Sequence, residues 1–428
     1  MLKPLNELTA SEIVAAVGSG GTTCEAVTVA CLERIAAREP AVEAWQYLAS
    51  SEVLQQARAF DRNGKHGALA GVPFGVKDII DTCDMPSEYG SPIYAGHQPK
   101  ADAACVALSR RAGGLLMGKT ATTEFANRHP ARTRHPLNPA HTPGGSSSGS
   151  AAAVADCMVP IAIGTQTTGS TIKPGSFCGV FAFKPTHGEL SCAGVKESAR
   201  SLDTIGLYAR SIEDIELYRA VLLGIAPKPL PASDGAGPRI GFCRTPNWHE
   251  ADPCTQNLLE EAAGRLSQRG ARVSDLELSE DFDRLCDAQQ CISAFEFSRN
   301  YTWEIEHHWN EISSTLRRGR LKFGLECSLE RYRDARQVAA RCRRSLEAIF
   351  ADFDVLLTPA VSGEAPVGLE STGNSSFCAM WTTAHVPAFT IPVFSGPAGL
   401  PIGAQLIGAH GNDRNLLAFA KWVYRELV

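Results

Sequence analysis

The sequence predicts an α/β fold, and three observations predict it. Apolar runs of strand length recur along the chain, such as Val-Leu-Leu-Thr at 355–358 and Ile-Gly-Phe-Cys at 240–243. Between them lie segments with helical spacing, as at Tyr332, Ala335, Val338, Cys342, Leu346 and Ile349. Composition agrees, because 44% hydrophobic and 20% charged residues over 428 positions supply a sizeable core. A chain of this length could hold two or three average domains, but large single α/β domains also reach it.

Taken in order, Thr9-Ala-Ser-Glu12 fits a capping box, and a short helix to Gly18 follows. A second helix is expected from about Cys24 to Glu39, with Val27, Cys31 and Ile35 on one face. Leu69 to Thr82 is apolar around Lys77 and reads as a buried strand carrying one lysine. Taken alone, such a lysine more often sits at a strand end and reaches water. Tyr89-Gly-Ser-Pro92 is a turn, Ala103–Ala112 a helix and Gly114–Thr120 a strand. Gly113–Thr120 also spells Gly-x-x-x-x-Gly-Lys-Thr, but a phosphate-binding loop needs a strand before it and a helix after it. Here the helix comes first and the loop is itself an apolar strand, so nucleotide binding is discounted. Ala151–Asp156 is helix-forming, Met158–Ile163 a strand, and Phe177–Thr186 a turn and buried strand. A helix is expected at Ser211–Leu223, and Pro227–Pro238 reads as a surface connection. Arg239–Cys243 is a strand, and Asp252-Pro253 starts a helix that stops at Gly270. Residues 282–350 are mainly helical. Asp354–Pro359, Trp381–Pro392 and Gly399–Gly408 are strands, and Asp413–Leu427 is the last helix.

The chemistry concentrates in Pro143–Thr186. This stretch holds Gly144-Gly-Ser-Ser-Ser-Gly-Ser150, then Gly164-Thr-Gln-Thr-Thr-Gly-Ser170, and closes on Lys184-Pro-Thr186. Glycines allow backbone angles that aim N–H groups at one point. Such groups form an oxyanion hole, and a serine at the same point can be a nucleophile. Gly145-Ser-Ser-Ser-Gly149 also fits Gly-x-Ser-x-Gly, but that elbow needs a strand leading into it, and His135–Pro143 is loop. A flexible Gly/Ser linker fits poorly, because a helix and a strand follow at once.

This pattern resembles the amidase signature family of serine hydrolases. That family pairs Gly-Gly-Ser-Ser with a downstream Gly-Thr-Asp-x-Gly-Gly-Ser and an upstream Gly-Val-Pro-x-x-Val-Lys-Asp, which here is Gly71–Asp78. The likeness covers nearly the whole chain and is weaker at about 225–350. It implies one large domain, residues 1–428, with a central mixed, twisted sheet covered by helices on both faces. Its core would be about 60–223 and 354–428, and about 225–350 a variable, mainly helical substrate-entrance region. Tyr301, Trp303 and Trp309 fall there, and lining the entrance and plain helix packing are both open to them. The resemblance further implies Ser170 as nucleophile, Ser146 as bridging serine after a cis Gly145–Ser146 bond, and Lys77 as base. The backbone N–H groups of Thr167, Thr168 and Gly169 would hold the oxyanion. Burial would depress the Lys77 pKa, leaving a neutral amine able to accept a proton. The activity so implied is hydrolysis of an amide C–N bond through an acyl-enzyme. A glutaminase-type subunit of a tRNA-dependent amidotransferase and a non-catalytic family member are the alternatives.

Three positions depart from the family pattern. Gln166 stands where the family has Asp, Thr168 where it has Gly, and Ile172 where it has Arg. With the arginine gone, a neutral or apolar amide is expected as substrate, or a carbamate or ester, rather than an amide that carries an acid. A net charge of -5 with both signs dispersed argues against nucleic acid or an anionic membrane as partner. No apolar run is long enough for a bilayer, and the N-terminus lacks a signal-peptide core. The 14 cysteines form no Cys-x-x-Cys and no histidine lies in His-Glu-x-x-His, so no metal or cofactor is expected. They read as free thiols in a reducing cytoplasm. The expected partner is a small-molecule amide, and a homodimer is left open.

Overall fold

Eleven strands form one mixed sheet among the described residues of the computed structural model, which are 3–64, 67–231 and 237–428. Part of the expected Pro227–Pro238 connection lies outside them. The strands are β1 (Trp45–Leu48), β2 (Pro73–Lys77), β3 (Leu115–Thr120), β4 (Ile161–Gln166), β5 (Phe181–Lys184) and β6 (Thr204–Ala209). They continue with β7 (Arg239–Cys243), β8 (Arg272–Leu276), β9 (Val355–Pro359), β10 (Ala388–Ser395) and β11 (Pro401–Ile407). Their order across the sheet is β1-β3-β2-β4-β6-β5-β10-β11-β9-β7-β8. β2 runs parallel to both β3 and β4, and β4 is antiparallel to β6.

The central strands β2, β3 and β4 are buried at every residue. Helices flank the sheet, so these strands are apolar on both faces and read as continuous runs rather than alternating ones. That is why they were visible in the sequence. Lys119, the lysine of the phosphate-loop pattern, lies on β3 and is fully buried. Its Nζ donates to Ser87 Oγ (2.5 Å) and to the Ile80 carbonyl, and lies 3.5 Å from Asp78. Its donors are thus spent inside the core.

Local signals placed the helix starts well. Thr9 Oγ1 accepts from the Glu12 N–H and Glu12 Oε2 accepts from the Thr9 N–H, so the capping box is formed. The second helix extends beyond expectation, to Val42. The last helix runs over Asp413–Leu427.

Several expectations are corrected. The strand expected at Met158–Ile163 is β4, three residues further on, because Pro160 delays its pairing. Trp381 lies in a helix, Ser376–Thr383, and the strand begins only at Ala388. Phe377, Met380 and Trp381 are all buried, and a helix apolar all round gives the same short apolar run as a strand. β1, β6 and β8 and the helices Ser50–Asn63 and Ile172–Cys178 carried no strong sequence signal. Among the described residues no helix is long and apolar enough to cross a membrane.

Candidate active site

β2 delivers Lys77 at its C-terminal end, where the parallel neighbour β4 delivers Thr165. Lys77 is fully buried, and its Nζ contacts Ser146 Oγ and Thr165 Oγ1, each at 2.8 Å. Burial pushes the lysine down to about 7, against the opposing pull of the Asp203 charge. A strand end that would normally let a lysine reach water is here closed over by the serine-rich loop.

That loop approaches through Gly144, at φ +83°, a conformation only glycine adopts readily. The Gly145–Ser146 peptide bond is cis. Space at Gly145 is tight, since an added Cβ would meet Thr372 Cγ2 at 2.8 Å. The Ser146 carbonyl accepts from Thr122 Oγ1 (3.2 Å) and the Thr123 N–H (3.4 Å). Ser147 ties this loop to β4, donating from Oγ to the Thr165 carbonyl and accepting from the Thr165 N–H, both at 3.2 Å. Its own N–H donates to the Ser170 carbonyl at 3.3 Å.

Lys77 and Ser146 are therefore in direct contact, and Ser170 adjoins the same loop through backbone. No hydrogen bond joins the Ser170 and Ser146 hydroxyls among the described residues. Ser170 is half-buried, at the start of the helix Ile172–Cys178.

The turn 167–169 is held by its carbonyls. Thr167 O accepts from Gln289 Nε2 (3.0 Å), Thr168 O from Thr382 Oγ1 (2.7 Å) and Gly169 O from the Lys173 N–H (3.0 Å). The N–H groups of Thr167, Thr168 and Gly169 donate to no group among the described residues. A turn anchored by its acceptors leaves its donors available for an incoming anion. Gln166 organises this turn. Its Oε1 accepts from the N–H groups of Thr171 (2.8 Å) and Ile172 (3.0 Å), and its Nε2 donates to Thr382 Oγ1 (2.9 Å).

Two residues given no role in the sequence reading stand at this site. Gln289 bonds both Thr167 O and Thr168 Oγ1. Asp203 accepts from Thr167 Oγ1 (2.5 Å) and from the N–H groups of Ser198 (2.8 Å) and Ala199 (2.9 Å). Burial pushes Asp203 up to about 6 despite these donors. Nothing in the sequence distinguished this aspartate from a surface one.

Ile172 packs in an apolar cluster with Met380 and Trp381. The neighbouring Lys173 is buried, and its Nζ donates to Thr372 Oγ1 (3.1 Å) and the Gly373 carbonyl (2.9 Å). Burial pushes it down to about 7. Tyr301 is buried against Phe125 and Phe297, while Trp303 and Trp309 are exposed. The one grouping of metal-type ligands among the described residues is Cys83, Asp84 and Asp102. Arg110 already pairs with both of its carboxylates.

The Amidase family model matches residues 26–417 of this chain. A glutamyl-tRNA(Gln) amidotransferase subunit of Chloroflexus aggregans is 32% identical, over 96% of this chain and 95% of its own length. A crystal structure described as an amidase superposes with a TM-score of 0.90 at 26% identity, covering 98% of this chain and 100% of that one. The native peptide amidase of Stenotrophomonas maltophilia superposes with a TM-score of 0.83 at 27% identity, covering 99% and 98%.

Proposed function

The chain belongs to the amidase family, and from that premise we propose that it cleaves a small-molecule amide with Ser170 as nucleophile, Ser146 as proton bridge and Lys77 as base. The single observation that carries this reading is the contact between a buried lysine and Ser146 Oγ. A lysine displaced to about 7 is substantially neutral near neutral pH, with a lone pair to offer. Its Nζ donates to Thr165 Oγ1 and Ser146 Oγ, and once neutral it can instead accept the Ser146 proton across the same 2.8 Å contact.

In the first half-reaction Ser170 Oγ attacks the amide carbon. Its proton passes to Ser146, and the Ser146 proton passes to Lys77. The negative charge that forms on the carbonyl oxygen is met by the N–H groups of Thr167, Thr168 and Gly169. Lys77 then returns its proton through Ser146 to the leaving nitrogen, the C–N bond breaks, and an acyl-serine remains. Water repeats the sequence on the ester, releasing the acid and restoring the serine. Every proton taken up is given back, so no cofactor is consumed. The test is covalent labelling by a fluorophosphonate together with amide hydrolysis. Both should disappear in Ser170→Ala, and labelling that persists in this variant would remove Ser170 from the role.

A second reading has a specific observation behind it, the 32% identity to an amidotransferase subunit over nearly the full length of both chains. On that reading the same relay releases ammonia from glutamine for a partner subunit. Glutamine hydrolysis by the isolated chain, with and without cognate amidotransferase subunits, decides between the two.

A further inference from the structure

Arg128 carries a charge with no counter-ion among the described residues. It ends the segment 122–128, whose Thr122 Oγ1 and Thr123 N–H hold the Ser146 carbonyl, so it stands directly downstream of the wall of the candidate site. Its backbone N–H donates to Asn127 Oδ1 at 3.0 Å, but its exposed guanidinium makes no ion pair or hydrogen bond among the described residues. Beside it, Asn127 is 9% exposed and its Nδ2 is buried without a partner. Thr123 Oγ1 is likewise buried and unpartnered. Unmet buried donors are rare in folded proteins, so both side chains keep capacity for a further partner.

Two further basic side chains feel the guanidinium charge. The Arg128 charge disfavours a proton on Lys173 and on Arg320, so it lies within Coulombic reach of both. Lys173 belongs to the helix that follows Ser170. Arg320, in the π-helix Arg317–Leu321, reaches Ser198 Oγ at 3.3 Å, and the Ser198 N–H bonds Asp203. Asp203 in turn accepts from Thr167 of the turn expected to hold the oxyanion. Arg128 and Arg320 thus come from separate elements around the Ser146–Thr167–Ser170 floor, with the largely neutral Lys173 beside them, and Asp203 is the carboxylate that faces Arg320. Such an excess of positive charge in a cleft concentrates anions.

We propose that Arg128 and the Asn127 side-chain amide hold a carboxylate of the substrate whose amide bond is cleaved at Ser170. A guanidinium presents paired N–H donors that match a carboxylate, and the amide N–H₂ supplies a third. This rests on the hydrolytic reading above and narrows it. It also reverses the expectation of a neutral or apolar substrate drawn from Ile172, because the cation absent there is supplied from a different loop.

The test compares kcat/KM for succinamate and for butyramide, which differ by the acid group. The wild-type protein should prefer succinamate, and Arg128→Gln should reduce that preference about 10- to 100-fold, the worth of a charge-assisted contact. The loss should appear mainly in KM for succinamate, with butyramide turnover unchanged. Arg128→Lys, which keeps a point charge, should retain part of the preference. A wild-type preference for butyramide, or an unchanged ratio in Arg128→Gln, overturns the proposal. Calorimetric binding of succinate to the Ser170→Ala protein reads the subsite without turnover. Binding there that is lost on adding Arg128→Gln supports the subsite even if the assignment of Ser170 fails, and undiminished binding refutes it.

Discussion

In the proposed relay Lys77 serves as the base only in the form that burial favours. Transfer from water penalises the ammonium, while Asp203 draws it back, and the balance falls at about 7. Below that pH the amine is protonated and has no lone pair. Above it the amine is neutral and can take the Ser146 proton. The acid limb of kcat/KM should therefore rise with pH through about 7. Asp203→Asn supplies the discriminating case. Asparagine keeps an oxygen for Thr167 Oγ1 but removes the charge that favours the ammonium, so the limb should move to lower pH. A limb that stays put in this variant would mean that Lys77 does not set it. At this scale the sequence told half the story. A lysine in an apolar run was visible, but whether it snorkels or buries depends on what closes over the strand end. Asp203 was illegible because its partners, Thr167 and the N–H groups of Ser198 and Ala199, come together only through the fold.

Between β4 and the helix Ile172–Cys178 the decisive contact is a side chain capping a helix. Gln166 Oε1 takes the N–H groups of Thr171 and Ile172, so Gln166→Leu strands two buried donors. Each unmet donor costs about 1–3 kcal/mol, so the urea midpoint should fall measurably. The turn 167–169 loses part of its support at the same time, because Gln166 Nε2 also holds Thr382, whose hydroxyl bonds Thr168 O. Misplacing an oxyanion donor typically costs about 10²–10³ in kcat, and a fall of that order is expected for amide hydrolysis. Gln166→Asp keeps an acceptor and should recover much of both losses. If Gln166→Leu lowers stability while kcat holds, the turn does not serve the oxyanion. This helix also shows why element reading failed where it did. Its Pro174 and Gly175 are poor helix formers, and Pro174 is tolerated only because it sits in the first turn. Gly175 is there because β5 lies close, an added Cβ meeting Ala182 Cβ at 2.3 Å. The strands that were found, β2, β3, β5, β7, β9 and β11, announce themselves by burial on both faces. β8 is largely exposed and carries no such run.

Across the whole molecule, buried ionisable groups set how stability varies with pH. Lys77 and Lys173 are pushed down to about 7 and Lys184 to about 8, in each case chiefly by burial. In the unfolded chain these lysines hold their protons to about pH 10.4. Above about pH 7 the unfolded state therefore binds more protons than the folded one, and stability rises with pH at up to about 1.4 kcal/mol per pH unit for each such group. Buried carboxyls act below this window. Asp78 is raised to about 7 and Asp203 to about 6 by burial, so the folded state holds their protons longer and their contribution declines as pH climbs to about 7. The thiols act above it. Burial pushes Cys31, Cys105, Cys243 and Cys378 up to about 12, whereas unfolded thiols ionise near pH 8.5 and then favour unfolding. Rising lysine and falling thiol contributions cross, so unfolding free energy should increase from about pH 7 and peak between about pH 8 and 9. Urea unfolding under reducing conditions at half-unit intervals from pH 6.5 to 10 measures the curve. Lys173→Met, which removes one titrating group, should flatten the ascending side. A curve that falls steadily from pH 7 would mean that these lysines remain protonated in the folded protein, and Lys77 would then have no lone pair with which to begin the reaction.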